Sequence, residues 1–138
     1  MSQPSPAKIL VADDSRDIVQ ILEQRLTSSG YQVLTAFDGV EALQKAKQEK
    51  PDLIILDVMM PKLNGFQVAR MIKFDKQLKK TPVLLLTVRT RPTDRDAGLK
   101  MGADEYITKP FETDQLIERI RYWVAKTVEP PPKSDASS

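Results

Sequence analysis

Four runs of branched, apolar residues in this sequence each end on a side chain able to do chemistry. Lys8-Ile9-Leu10-Val11-Ala12 is followed by Asp13-Asp14, and Leu53-Ile54-Ile55-Leu56 by Asp57. Val83-Leu84-Leu85-Leu86 is followed by Thr87, and Glu105-Tyr106-Ile107-Thr108 by Lys109-Pro110. Three carboxylates brought close together repel, which raises their pKa values unless a cation neutralises them. A small oxygen-only site with open positions suits Mg²⁺, which keeps waters and shares a phosphate ligand. A lysine supplies a point charge to a phosphoryl oxygen, and a threonine hydroxyl can donate to another. Such a set is a phosphoryl site with a built-in nucleophile. A carboxylate that attacks phosphorus forms an acyl phosphate, with positioning and the metal doing most of the catalysis.

These side chains meet only if the chain folds to bring the four run ends together. The apolar runs read as strands over 8–12, 53–56, 83–86 and 105–108, with a further alternating strand over 31–36. Helices fall between them. Ile18, Leu22, Arg25 and Leu26 recur at helical spacing, and Gly30 is a natural stop. Asp38 and Glu41 form a capping pair for a helix over 39–49. Phe66, Ala69 and Ile72 mark a third helix. A fourth, over 94–101, is weakened by Gly98. Leu116, Ile120 and Val124 mark a fifth, ending near Lys126. Alternating strands and helices imply a parallel sheet covered on both faces, an α/β doubly wound fold. Ligands in such folds sit at the C-terminal ends of the strands, where strand order reverses. If the order is 2-1-3-4-5, strands one and three are neighbours there. Asp13, Asp14 and Asp57 then share one crevice.

Composition narrows the chemistry. The chain has 138 residues, a length that suits one domain with one core. It contains no His and no Cys, so a Ser-His-Asp triad, a His or Cys metal site, thiol catalysis and a phosphohistidine on this chain are excluded. The 21 Lys and Arg nearly balance the 19 Asp and Glu and are scattered, which argues against direct nucleic-acid binding. No apolar run approaches the roughly 20 residues of a membrane span. A cytoplasmic location is expected. Residues 1–6 read as a polar tail, 7–126 as the folded domain and 127–138 as a Pro/Ser-rich tail or linker.

Taken in order, Asp13-Asp14, the segment Leu56-Asp57-Val58-Met59-Met60-Pro61-Lys62-Leu63-Asn64-Gly65, Thr87, Tyr106 and Lys109-Pro110-Phe111 resemble the motifs of the receiver domain of two-component response regulators, the CheY-like family. The resemblance covers about residues 7–126 and implies a five-stranded parallel sheet of order 2-1-3-4-5. It implies Asp57 as phosphoryl acceptor, with Mg²⁺ (or Mn²⁺) held by Asp13, Asp14, Asp57 and the backbone carbonyl of Met59. Lys109 would hold the phosphoryl group, Thr87 would swing toward it, and Tyr106 would turn inward behind Thr87. The bond before Pro110 would be cis. The switch is expected on the face made by the fourth helix, the fifth strand and the fifth helix.

Some positions depart from the family pattern. Val88 stands where Ala or Gly is usual, and its branched side chain would narrow access to the phosphoryl group. Met59 and Arg89 occupy positions that affect dephosphorylation in the family. Asn64 replaces the commoner Asp.

The expected function is a signalling switch rather than an enzyme. A histidine kinase or histidine phosphotransfer protein is the required donor, because this chain has no His of its own. A separate protein target would be controlled on the switching face. A stand-alone regulator is favoured over the receiver portion of a larger regulator whose output domain is missing. An aspartyl-nucleophile phosphatase is the remote alternative, since such enzymes generally carry a second Asp where Met59 stands. A flavodoxin-like carrier would need a phosphate loop after strand one, where Asp13 and Asp14 would repel a flavin phosphate. Asp94, Arg95, Asp96, Asp104, Glu105, Arg119 and Arg121 carry mixed charge. They read as a solvated surface or as pairs across a phosphorylation-dependent homodimer.

Overall fold

The computed structural model describes residues 6–87 and 102–128. The expectations for Val88, Arg89, Gly98 and a helix over 94–101 lie outside the described residues.

Five strands form one parallel sheet in the order β2-β1-β3-β4-β5. They are β1 (Lys8–Ala12), β2 (Gln32–Ala36), β3 (Leu53–Asp57), β4 (Val83–Thr87) and β5 (Glu105–Thr108). The described helices are α1 (Arg16–Ser28), α2 (Gly39–Glu49), α3 (Gly65–Phe74) and the C-terminal α4 (Thr113–Val128). This last helix is the fifth one expected from the sequence, and it continues past the expected end near Lys126.

Side-chain alternation along the strands splits the core in two. Leu10, Ala12, Ile54, Leu56 and Leu85 face α2 and α3, packing with Ala42, Ala46, Val68, Ala69 and Ile72. Ile9, Val11, Leu53, Ile55, Leu84 and Leu86 face the other way, onto Val19, Leu22 and Leu26 of α1 and Leu116, Ile120 and Val124 of α4. Every residue of β3 and β4 is buried. That is why these two strands read as continuous apolar runs rather than alternating ones.

Local signals set the ends of the elements. Ser15 caps α1, its hydroxyl accepting from the Ile18 amide. At the other end Gly30 takes a φ of 98°, Gly30 N–H donates to Thr27 and Tyr31 N–H to Leu26. This is a Schellman closure, in which glycine adopts the left-handed backbone at least cost. It holds Tyr31 to the helix end, so β2 begins at Gln32 rather than at Tyr31. Asp38 caps α2 through the Glu41 amide at 2.8 Å, while the Glu41 carboxylate reaches back to the Phe37 amide at 2.9 Å. Asn64 and Gln67 form a full capping box at the start of α3. The Asn that departs from the family pattern is therefore the cap of that helix. The Lys109-Pro110 bond is cis, as the resemblance implied.

Candidate functional site

The order β2-β1-β3 makes the chain leave β1 on one side and return on the other, so a crevice opens above β1 and β3. Ala12 is paired with Leu56, which sets the next residue of each strand, Asp13 and Asp57, side by side. Asp13, Asp14 and Asp57 each offer a carboxylate oxygen within 4.8 Å of the others. Asp13 is fully buried and Asp57 nearly so, while Asp14 is exposed at the mouth. Asp13 is also fixed along the chain: its Oδ1 accepts from the Ser15 amide at 2.9 Å.

Lys109 crosses the crevice from the end of β5. Its Nζ lies 2.8 Å from Asp13 Oδ2 and 3.1 Å from Asp57 Oδ1. Its backbone N–H donates to the Thr87 carbonyl at 2.5 Å, which ties the lysine loop to the end of β4. Thr87 closes β4 beside Leu86, the partner of Asp57 in the sheet, and is buried. Tyr106 is buried from β5 into the α2–α3 side of the core. The side chain of Met59 is 68% exposed beside the site.

Three carboxylates against one ammonium leave a surplus of negative charge. Burial, and then the neighbouring Asp13, push the Asp57 carboxyl from an ordinary value of 3.8 up to about 6, against the pull of Lys109. Burial by itself would lower the Lys109 ammonium, but its hydrogen bonds to Asp13 and Asp57 outweigh this and hold it above its ordinary value. An oxygen-only donor set, one buried side and one open side, and excess negative charge fit a hard divalent cation. Among the described residues this is the one cluster of at least three such ligands.

A raised carboxyl has a defined effect on pH dependence. Between about pH 4 and 6 the folded state holds the Asp57 proton more tightly than the unfolded chain. This group therefore adds stability as pH falls from about 6 toward 4, and its cost is fully present above 6. The same proton competes with a metal. Mg²⁺ affinity measured by calorimetry is expected to fall by about tenfold per pH unit below about 6, and to level off above that.

On β5, Glu105 next to Tyr106 is held by α4. Arg119 Nε donates to Glu105 Oε2 at 2.8 Å, and Arg119 Nη2 donates to Oε1 at 2.8 Å. The indole N–H of Trp123 donates to Oε1 at 2.7 Å. Burial would raise the Glu105 carboxyl, yet these hydrogen bonds hold it below the usual range. The sequence leaves Glu105 and Arg119 as solvated charges or as pairs across a homodimer, because their contact with each other within the chain leaves no periodic signal. It placed the Lys109 ammonium beside the carboxylates, but not its simultaneous pairing with Asp13 and Asp57.

The family model for the response regulator receiver domain matches residues 9–121. The chain belongs to this family. It is 48% identical over 114 residues to the alkaline phosphatase synthesis transcriptional regulatory protein PhoP of Bacillus subtilis (strain 168), covering 83% of this chain and 47% of PhoP. The chain spans about half the length of the curated relatives it matches. Among solved structures, the chemotaxis response regulator CheY4 of Vibrio cholerae superposes with a TM-score of 0.81 at 39% identity, covering 86% of this chain and 98% of that one. The receiver domain of sensor histidine kinase PA1611 from Pseudomonas aeruginosa PAO1 superposes with a TM-score of 0.80 at 28% identity, covering 87% of this chain and 98% of that one. That structure has a magnesium ion coordinated in its active site cleft. Receiver domains are signalling switches that bind Mg²⁺ at an acidic cluster, and this receiver has such a cluster in Asp13, Asp14 and Asp57. No helix among its described residues is long and apolar enough to cross a membrane.

Proposed function

We propose that Asp57 of this receiver accepts a phosphoryl group from a phosphohistidine on a partner protein. The observation that carries this is the clustering of Asp13, Asp14 and Asp57 with Lys109 bridging two of them. Asp13, Asp14, Asp57 and the Met59 carbonyl would hold Mg²⁺. The bound ion supplies positive charge to the phosphoryl oxygens and offsets the burial and the repulsion that raise the Asp57 carboxyl.

An Asp57 carboxylate oxygen attacks phosphorus while the bond from phosphorus to the donor's imidazole nitrogen breaks. The imidazole keeps the bonding pair and takes a proton from water. Lys109 then exchanges its contact with Asp57 for a phosphoryl oxygen. Only a short swing is needed, because its Nζ already sits between the two buried aspartates. The Thr87 hydroxyl stabilises another phosphoryl oxygen. The product carries about −1.5 to −2 charges where one stood before. That increase draws in Thr87 and Lys109 and shifts the population between two arrangements of the loops that carry them. Tyr106 follows Thr87. Glu105 beside it carries the shift to α4 through Arg119 and Trp123. We place the target-binding face on β5 and α4. Glu105 and Arg119 are engaged with each other there, so a partner or a second copy would meet them as a pair.

The donor's approach has a favourable surface. An apolar cleft of about 470 Å³, lined by Ile18, Ile21, Pro110, Phe111 and Thr113, has Lys109 in its wall. Ile21 is 51% exposed there. A donor protein seated on it would deliver its phosphohistidine beside Lys109, whereas a small acyl phosphate needs no such seat. Ile21→Glu is expected to slow transfer from a phosphorylated histidine kinase by at least about tenfold, the effect of losing one buried apolar anchor. It should leave labelling by the small donor unchanged. Equal loss with both donors would place the defect in the site itself and remove the docking role.

A further inference from the structure

We infer that the start of α2 is a clamp on the metal-side loop of the phosphoryl site, with Gly39 and Lys62 as positioning residues. The inference rests on the proposed Mg²⁺ site of Asp13, Asp14, Asp57 and the Met59 carbonyl, and names what holds that carbonyl in place.

The loop Val58–Asn64 leaves the end of β3 and is pinned at both ends. At its C-terminal end Gly65 N–H donates to the Val58 carbonyl at 2.9 Å. A Cβ at Gly65 would stand 2.4 Å from the Asp57 carbonyl oxygen, so α3 starts in direct contact with the Asp57 backbone. In its middle the loop is held by a different element. Gly39 N–H donates to the Pro61 carbonyl at 3.2 Å. A Cβ at Gly39 would stand 2.0 Å from the Leu63 carbonyl oxygen and 2.5 Å from Leu63 Cβ. The first of these is a backbone atom, which cannot rotate away. Gly39 is therefore required for this approach and not for any unusual φ.

Pro61, Lys62 and Leu63 fold tightly against that glycine. Leu63 N–H donates back to the Pro61 carbonyl at 2.8 Å, and Lys62 between them has a φ of 73°. This is a three-residue turn of the rare, strained kind. A non-glycine residue keeps such a backbone only where surrounding contacts over-determine it. The contact from α2 is the Gly39 N–H, which donates to the Pro61 carbonyl alongside the turn's own Leu63 N–H. Lys62 Nζ also lies 3.5 Å from Asp38 Oδ2. That ion pair is largely exposed on the lysine side, so it contributes little, and the backbone approach carries the effect. Met59 lies between Val58, held by Gly65, and Pro61, held by Gly39, so the position of its carbonyl depends on both contacts.

Calorimetric Mg²⁺ titration of wild type, Gly39→Ala and Lys62→Val tests this, with circular dichroism reporting the fold. Gly39→Ala drives a Cβ into the Leu63 backbone. Lys62→Val puts a β-branched residue at a positive φ, which it resists, and removes from the start of α2 only the weak, exposed contact with Asp38. Each is expected to weaken Mg²⁺ binding by about tenfold or more, as loss of support behind a metal ligand does. In both, labelling of Asp57 by a small acyl phosphate should recover at saturating Mg²⁺, because the nucleophile and Lys109 are untouched. A purely structural defect would not recover in this way. If Gly39→Ala fails to fold, Lys62→Val decides alone. Wild-type affinity in folded Lys62→Val, its unfolding, or labelling that stays low at saturating Mg²⁺ would each overturn the clamp. Failure of the underlying reading looks different: Mg²⁺ would then bind Asp14→Ala as tightly as wild type.

Discussion

Asp57→Asn loses phosphoryl labelling by a small acyl phosphate, by more than about a hundredfold, while the metal-free protein becomes more stable. Both effects have one cause. Asp57 is nearly buried and faces two other carboxylates, and burial and Asp13 push its carboxyl up to about 6. A shift of that size corresponds to roughly 3 kcal/mol between the charged and neutral forms, less whatever relaxation of the site recovers. An amide of the same shape carries no charge, so it removes repulsion while it removes the nucleophile. Thermal unfolding in chelator should show a melting temperature several degrees above wild type at pH 7.5. The difference should shrink as pH falls through about 6, where wild-type Asp57 gains its proton. Unchanged labelling would move the acceptor elsewhere. Unchanged stability would mean that the carboxylates are already neutralised without a metal.

Lys109→Ala gives the opposite result in the absence of metal. Its ammonium is the direct partner of Asp13 and Asp57, at 2.8 and 3.1 Å, and is 11% exposed. Removing one side of a buried ion pair leaves uncompensated charge and costs about 3 kcal/mol or more. Here two aspartates lose their partner at once. The metal-free variant should therefore melt well below wild type at neutral pH. Saturating Mg²⁺ should restore much of the loss, since it supplies the missing positive charge to the same oxygens. With the metal present the variant keeps its fold and still accepts the phosphoryl group slowly. It should no longer convert that modification into a change at β5 and α4. Fluorescence of Trp123, the sole tryptophan, reports this directly through its bond to Glu105. A phosphorylation-dependent fluorescence change that survives in Lys109→Ala would contradict the coupling role.

The sheet was legible because β3 and β4 are buried on both faces and so carry unbroken apolar runs. Their ends then pointed to Asp57 and Thr87. Helix boundaries were legible where a side chain does the capping, as at Asp38, or where glycine closes the helix, as at Gly30. Asn64 and Gln67 carried the same kind of signal at capping-box spacing, and it went unread beside the departure from the family pattern. What stayed hidden depends on contacts between distant segments. Glu105 pairs with Arg119, and Lys73 reaches Asp104 at 2.9 Å and the Thr81 carbonyl at 2.6 Å. Gly39 meets Leu63 across two elements. No periodicity or local motif encodes these approaches. Glycine at the first position of a helix, where almost any residue would serve, was the available hint.

Intact-mass measurement of the wild-type protein with a small acyl-phosphate donor, with and without Mg²⁺, followed by fragmentation, tests the site assignment most directly. The expected result is a single phosphoryl group, added only with Mg²⁺ and carried by the fragment that contains Asp57. Addition in the absence of metal, more than one group, or a phosphoryl group on any other residue would contradict it.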